Sequence, residues 1–138
     1  MPDKCFLDSN LWIYLYGSKH PEFKKAVESI LRSNQDNVTI STQTLGETYN
    51  VLTKKFSVPG NEASAIIREI AHTVTVYEIT VQDIFEAAKL SQKYRYSFWD
   101  SLILRTALVT DCSIVYSEDM QHGQVIESKI KIVNPLLS

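Results

Sequence analysis

Residues 94–108 read Tyr94-Arg-Tyr-Ser-Phe-Trp-Asp-Ser-Leu-Ile-Leu-Arg-Thr-Ala-Leu108 and predict a helix that starts at Ser97. Apolar residues cover more than one face of it, as is typical of a helix buried in a core. They are Phe98, Trp99, Leu102, Ile103, Leu104, Ala107 and Leu108. Asp100 lies among them in the first turn, and a carboxylate is costly to bury without a partner. The partner of Asp100 therefore indicates what the protein does.

Two kinds of partner are open for Asp100. Ser97-x-x-Asp100 is close to a capping box, and an acid in the first turn also suits the positive end of the helix dipole. In that case the residue has a structural role. The alternative is that other carboxylates meet Asp100 at one site.

The composition is that of one ordinary globular domain, which we take to span residues 1–138. Hydrophobic residues make up 44% and charged residues 22%, enough for one core. The net charge of −2 gives no global basic field, so any binding of phosphate would be local. We recognise no membrane span and no signal peptide. Cys5 and Cys112 are expected to be buried free thiols of a cytoplasmic protein.

Short apolar strands alternate with helical segments along the chain. The predicted strands cover residues 4–7, 37–40, 74–79, 113–116 and 129–133. This alternation predicts an α/β domain with a mainly parallel sheet of about five strands and helices on both faces.

Several residues are predicted to start the helices. Ser9 or Asn10 would cap the first helix, and Pro21 would open the second. Thr44-x-x-Glu47 has the pattern of a capping box, and Thr80-x-x-Asp83 opens a later helix. Asn61 follows a chain break at Pro59-Gly60 and is expected to cap the helix between these two.

Four acids are predicted to meet at one edge of the sheet. Asp8 and Asp119 each come just after a strand, while Glu47 and Asp100 each lie in the first turn of a helix. Parallel sheets form their sites beyond the carboxyl ends of the strands. Four carboxylates in one pocket would repel one another, and a divalent cation would remove that repulsion. Because no His or Cys cluster accompanies them, Mg²⁺ or Mn²⁺ is expected rather than Zn²⁺.

Each acid also has a structural alternative. In that alternative, Glu47 and Asp100 are helix caps, Asp8 caps the first helix, and Asp119 is a turn residue. It is less expected that caps explain all four acids at one sheet edge.

Four short motifs carry these acids in order along the chain. They are Phe6-Leu-Asp-Ser-Asn-Leu-Trp-Ile-Tyr14, Ser41-Thr-Gln-Thr-Leu-Gly-Glu47, Ser97-Phe-Trp-Asp-Ser-Leu-Ile103 and Tyr116-Ser-Glu-Asp-Met-Gln-His-Gly123. In order and spacing they resemble the acidic motifs of PIN-domain ribonucleases, most closely the VapC-type toxins of prokaryotic toxin–antitoxin pairs. Ile132-Val-Asn-Pro135 extends the resemblance to nearly the whole chain.

The resemblance implies an endoribonuclease that depends on Mg²⁺ or Mn²⁺ and cuts RNA with a metal-positioned water. It implies that Asp8 and Asp100 bind the metal directly, with Asp119 next, and that Glu47 holds a metal-bound water or a second ion. Ser117 matches a small polar position of the family. A small antitoxin protein and a second copy of the chain are the implied protein partners.

Other residues around the acids receive weaker assignments. Asn10 and Ser117 would steady the metal ligands. Arg95, Arg105 and His122 are candidate RNA contacts, although a solvated or structural role is an alternative for each. Four aromatic residues could stack on bases, with core packing as the favoured alternative. They are Trp12, Tyr14, Tyr94 and Tyr96.

Two other functions compete with the nuclease. A PIN-like scaffold without catalysis would be expected to lose at least one acid, and this chain has all four. A phosphohydrolase with Asp8 as nucleophile would usually carry Asp-x-Asp, but Asn10 takes the second position.

Overall fold

The computed structural model describes residues 3–17 and 19–137, in which short strands alternate with helices. The strands are β1 (Cys5–Leu7), β2 (Val38–Ser41), β3 (Thr75–Tyr77), β4 (Ile114–Tyr116), β5 (Val125–Ile126) and β6 (Ile130–Val133). The helices are α1 (Ser9–Tyr16), α2 (Pro21–Ser33), α3 (Thr42–Lys54), α4 (Gly60–Thr73), α5 (Val81–Tyr94) and α6 (Phe98–Val109), and a short 3-10 helix covers Gln35–Asn37.

The strands form one sheet in the order β3-β2-β1-β4-β6-β5. All neighbouring pairs are parallel except β5 and β6, which are antiparallel. The predicted α/β fold with a mainly parallel sheet is confirmed, with six strands in the described residues rather than about five. The chain builds outward from β1 on both sides, so the strand order reverses between β1 and β4. Such a reversal is where open α/β sheets form ligand sites.

Helices cover both faces of the sheet, as the alternation of side chains along β1 makes clear. Phe6 packs in a cluster with residues of α5 and α6, including Leu104. Its neighbours Cys5 and Leu7 point the other way and pack with residues of α1, α2 and α4, including Trp12. Successive residues of a strand face opposite sides of a sheet, so one short strand joins both halves of the core.

Three predicted helix starts are wrong in detail. Asp8, rather than Ser9 or Asn10, is the N-cap of α1. The capping box of α3 is formed by Ser41 and Thr44, so Glu47 lies in the second turn of α3 rather than the first. Helix α4 begins at Gly60, directly after Pro59, and Asn61 is inside it. Pro21 does open α2, and the capping box of Thr80 and Asp83 is present.

Helix α6 departs from the prediction most clearly at Trp99. Leu102, Ile103, Leu104 and Ala107 are buried as expected, but Trp99 is 61% exposed. The first turn of α6 extends past the packed part of the core, so the apolar surface of the helix is not buried all round.

Cys5 and Cys112 are free and buried, as predicted. Burial raises the pKa of the Cys5 thiol to about 12, which keeps it protonated and unreactive at neutral pH. No helix in the described part of the chain is long and apolar enough to cross a membrane.

Candidate functional site

Asp8 lies at the carboxyl end of β1, in the centre of the sheet, and is only 4% exposed. As N-cap of α1 it accepts a hydrogen bond at Oδ1 from the Ser9 backbone N–H at 2.7 Å. Its Oδ2 accepts one from Ser117 Oγ at 2.8 Å. Oδ1 caps α1, and Oδ2 is bound by Ser117, the residue that follows β4. Asp8 is therefore both a helix cap and a member of the site.

Asp100 is the third residue of α6. Its backbone N–H donates to Ser97 Oγ at 3.1 Å, which caps the helix. Burial and then the charge of Asp119 raise the pKa of Asp100. The carboxylate of Asp100 therefore lies close enough to Asp119, which follows β4, to be perturbed by its charge.

Glu47 reaches the site from the second turn of α3. Ser9 Oγ and Gln43 Nε2 lie within hydrogen-bonding distance of its two carboxylate oxygens, each at 3.4 Å. Burial raises the pKa of Glu47, and the charges of Asp100 and Asp119 raise it further.

Asp119 follows β4 and is the most solvent-accessible of the four acids. Its Oδ2 accepts a hydrogen bond from Asn10 Nδ2 at 3.0 Å, and its backbone N–H donates to Ser117 Oγ at 3.2 Å. Asn10 and Ser117 thus contact the acids that they were predicted to steady.

The four carboxylates form one electrostatic unit. Burial raises the pKa of Asp8 to about 7, and the charges of Glu47 and Asp100 add to this against the hydrogen bonds from Ser117 and Ser9. The charge of Asp119 acts in turn on Glu47 and Asp100, so each of the four acids takes part in at least one of these interactions. Acids from four separate segments therefore share one site, and part of their charge is uncompensated by the protein.

A divalent cation fits these residues. Asn10 Oδ1 and Gln43 Oε1 are buried and lack a hydrogen-bond partner among the described residues, and their amides hold Asp119 and Glu47. Together with the acids they make an all-oxygen set, which suits Mg²⁺ or Mn²⁺. In the part of the chain that the structure describes, no three acidic, His or Cys side chains form a ready-made metal cage. Mg²⁺ is usually bound by one or two carboxylates together with waters and substrate phosphates.

A groove of about 550 Å³ opens beside the acids. Ser9, Asn10 and Asp119 form its boundary with the site, and Lys19 and Lys55 also line it. The groove therefore brings positive side chains next to a strongly acidic pocket.

The PIN domain model matches residues 5–126 of the chain. This chain belongs to the PIN domain family.

Solved structures of a toxin and of toxin–antitoxin complexes share the fold. VapC20 of Mycobacterium tuberculosis, described as a sarcin-ricin loop cleaving toxin, has a TM-score of 0.69 at 21% identity, covering 84% of this chain and 90% of that one. A toxin–antitoxin complex from Klebsiella pneumoniae has a TM-score of 0.70 at 22% identity, covering 96% and 98%. DNA-bound VapBC from Salmonella typhimurium has a TM-score of 0.72 at 18% identity, covering 95% and 97%. A comparison with curated protein sequences gave no match.

The candidate RNA contacts of this PIN domain lie in three different settings. Arg105 is 22% exposed and its Nε donates to Asp83 Oδ1 at 2.9 Å, so its guanidinium is already in an ion pair. Arg95 is exposed and ends α5 with a left-handed backbone. His122 is exposed, and its Nδ1 accepts a hydrogen bond from the Asn134 backbone N–H at 3.0 Å. Of the three, Arg105 is the least available to a substrate.

Most of the aromatic residues considered for base stacking have structural contacts in the PIN domain. Trp12 is buried and donates from Nε1 to Leu7 O. The Tyr14 hydroxyl donates to Glu118, and those of Tyr94 and Tyr96 bind the segment around β5. Trp12 lies in the hydrophobic core, and the other three side chains pack against it, so core packing, the favoured alternative, describes all four.

Three residues near the acids of the PIN domain were missed. Ser9 and Gln43 contact Glu47, and Glu118 accepts from Tyr14. Gln43 precedes Glu47 by one helical turn, a spacing that places two side chains on one face and could have indicated the contact. The contact of Glu118 joins distant segments and leaves no local signal.

Proposed function

We propose that this PIN domain is a metal-dependent endoribonuclease that hydrolyses RNA phosphodiester bonds. The observation that carries the proposal is that Asp8, Glu47, Asp100 and Asp119 lie together at one edge of the sheet, where Ser9, Asn10 and Ser117 link Asp8, Glu47 and Asp119. The pKa values of Asp8, Glu47 and Asp100 are raised there. A structural role for each acid would not require the other three to be adjacent.

The roles follow from the surroundings of each acid. Asp8 and Asp100 would bind a Mg²⁺ or Mn²⁺ ion directly, with Asp119 at the more open side. When bound, the ion would orient water and stabilise negative charge on the phosphate. Glu47, which is half-buried and contacts Ser9 and Gln43, would accept a hydrogen bond from the attacking water. Ser117 and Asn10 would keep Asp8 and Asp119 in position.

A biological role as the toxin of a toxin–antitoxin pair belongs to the same proposal. Its support is the fold shared with VapC20 and with two toxin–antitoxin complexes. A small antitoxin would be its protein partner, and the chain would act in the cytoplasm as a homodimer. Induced expression in a bacterial host should arrest growth, and Asp100→Ala should relieve the arrest. Growth arrest by both forms would contradict the toxin role.

The chemistry is tested with purified protein, free of any antitoxin, and end-labelled RNA. Attack by water should leave a 5′-phosphate and a 3′-hydroxyl. EDTA should abolish cleavage, and Mg²⁺ or Mn²⁺ should restore it. A 2′,3′-cyclic phosphate, or cleavage in EDTA, would refute the mechanism. Binding of RNA without cleavage in any metal would favour the non-catalytic scaffold instead.

A further inference from the structure

Trp99 is an exposed aromatic residue directly beside the acidic site. It is the second residue of α6, next to Asp100, and 61% of its surface is accessible. Side chains in a helix point back toward its N-terminus, so the indole projects toward the end of α6 that carries the site. Single exposed hydrophobic residues are common on proteins, and exposure alone would mean nothing. The position of Trp99 is what requires an explanation.

The surroundings of Trp99 hold it at this position. Gln43 Nε2 donates to the Trp99 backbone carbonyl at 3.2 Å and lies 3.4 Å from Glu47 Oε2. One amide therefore joins the first turn of α6 to an acid of the site. The indole meets the Phe98 ring at right angles, with 5.1 Å between ring centroids. A perpendicular contact of this kind covers at most one face of the indole and leaves the other for a ligand.

We propose that Trp99 binds the RNA substrate by stacking its indole on a base next to the scissile phosphate. The inference rests on the proposed nuclease function and adds a contact that none of the four acids can supply. Unpaired bases splayed out of RNA are commonly recognised by stacking on aromatic side chains. The substrate class is therefore RNA with an unpaired base at this position.

The charge of the protein gives this contact its importance. A net charge of −2 and an acidic pocket oppose the approach of RNA, so affinity must come in part from uncharged contacts. Loss of one stacking contact weakens single-strand binding by roughly 10-fold to 100-fold. Stacking releases no counterions, so this part of the affinity should not change with salt concentration.

The two tryptophans allow the contact to be observed without cleavage. Trp12 is 1% exposed and Trp99 is 61% exposed, so an added quencher should reach Trp99 and spare Trp12. In an Asp8→Asn background with Mg²⁺, a short single-stranded RNA should change the Trp99 emission and protect it from quenching. Adding Trp99→Phe should remove this response, while adding Phe85→Ala should keep it. Phe85 is a matched control because it is similarly exposed, at 58%, but belongs to a different part of the surface. It lies two residues from Asp83, which pairs with Arg105 in the second half of α6 rather than in its first turn.

Cleavage assays test the same contact in the active protein. Trp99→Ala should raise KM by roughly 10-fold to 100-fold and change kcat much less, as expected for loss of substrate binding. Trp99→Tyr should restore most of the affinity, and Phe85→Ala should match the unmodified chain. In a series of RNAs with one abasic site each, the missing base at one position should raise KM for the unmodified chain as much as Trp99→Ala does. Combining that RNA with Trp99→Ala should cost no more than either change alone.

The outcomes separate this inference from the proposed function. An unchanged KM for Trp99→Ala, or an emission response that no abasic site alters, overturns the stacking contact even if RNA is cleaved. If no RNA is cleaved but the base-dependent emission response is present, the stacking contact stands and the nuclease does not. A change of oligomeric mass in Trp99→Ala, with binding of RNA that is independent of any base, would assign Trp99 to a protein contact and overturn the proposal.

Discussion

Ser117 Oγ donates a hydrogen bond of 2.8 Å to Asp8 Oδ2, although 109 positions separate the two residues. The same oxygen accepts the backbone N–H of Asp119 at 3.2 Å. A serine hydroxyl has one hydrogen to donate, and this one is directed at the most buried of the four acids. Ser117 therefore joins the ends of β1 and β4 and sets the orientation of Asp8.

The first prediction concerns this hydroxyl. Ser117→Ala leaves Asp8 with one donor fewer in a buried place, which should lower the free energy of unfolding by about 1–3 kcal/mol. Misplacement of Asp8 should also reduce the rate of RNA cleavage by roughly 10-fold to 100-fold. Ser113→Ala is the matched control, because Ser113 precedes β4 at its other end and contacts Lys4. Equal losses in both variants would show that Ser117 has no special relation to the site.

The second prediction concerns pH in EDTA. The pKa of Asp8 is about 7 in the folded protein, against 3.8 for an ordinary aspartate, because of burial and the charges of Glu47 and Asp100. The folded protein therefore binds this proton more tightly than the unfolded chain. The free energy of unfolding should fall as pH rises from about 4 to about 7, by up to about 1.4 kcal/mol per pH unit for one proton, and then level off.

Thermal melts across this pH range measure the effect. The pKa values of Glu47 and Asp100 are also raised, so they should act in the same direction. Asp8→Asn should make the pH dependence shallower, and Mg²⁺ should stabilise the protein most at pH 8, where the acids are charged. Stability that rises with pH in EDTA would contradict the raised pKa of Asp8.

The third prediction compares two acids at the same position of two helices. Asp83 and Asp100 are each the third residue of their helix. Burial alone would raise the pKa of Asp83, but hydrogen bonds from Thr80, Tyr77 and Arg105 outweigh it and the pKa is lowered. The pKa of Asp100 is raised. At pH 8 the negative charge therefore stabilises the folded protein at Asp83 and destabilises it at Asp100.

Substitution by asparagine should give opposite results. In EDTA at pH 8, Asp100→Asn should leave the melting temperature unchanged or higher. Asp83→Asn should lower it clearly, by about 3 kcal/mol in free energy of unfolding, because Arg105 loses its partner in a mostly buried ion pair. If Asp100 were only a cap, Asp100→Asn would cost up to about 1 kcal/mol, and that result would speak against a shared acidic site.

The fourth prediction concerns catalysis by the acids as a unit. Asp8→Ala and Asp100→Ala should each reduce cleavage by orders of magnitude, since each removes part of the charge that would hold the cation. The double variant should be little slower than either single variant, because members of one unit are not additive. Rate constants measured in saturating Mg²⁺ decide this, with Asp36→Ala as a control on an exposed acid outside the site. Losses that multiply in the double variant would mean that the two acids act separately.

The order of strands and helices along the sequence was enough to predict the fold and the sheet edge at which the acids lie. Alternating strands and helices predicted the parallel sheet, and the position of Asp8 after a buried strand predicted its place at the sheet edge. Both features can be recognised in short stretches of sequence, without knowing which distant residues are in contact. The turn after β5 has no such signal, because Glu127 and Ser128 both have positive φ where glycine or asparagine would be expected. The two-residue strand β5 was missed for that reason.

Long-range contacts explain the remaining differences. Arg105 looked like a surface charge, but its partner Asp83 is 22 positions away in the sequence. Trp99 looked like a core residue because the whole helix is apolar, and only the packing of α6 leaves its first turn in solvent. The sequence pattern puts Thr44 at the start of a capping box with Glu47. In the structure, Thr44 is instead the last residue of a capping box that begins at Ser41. In each case a local pattern allowed two outcomes, and tertiary structure selected one.

The central place of β1 has a consequence for synthesis of the chain. β1 is made before both of its neighbours in the sheet, and its pairing with β4 must wait until residues 114–116 have been made. Throughout most of translation the nascent chain therefore carries Asp8 without Ser117 or Asp119. The four-acid site is therefore incomplete until residues 114–119 have emerged and paired. Any fragment that stops before them would lack Ser117 and Asp119.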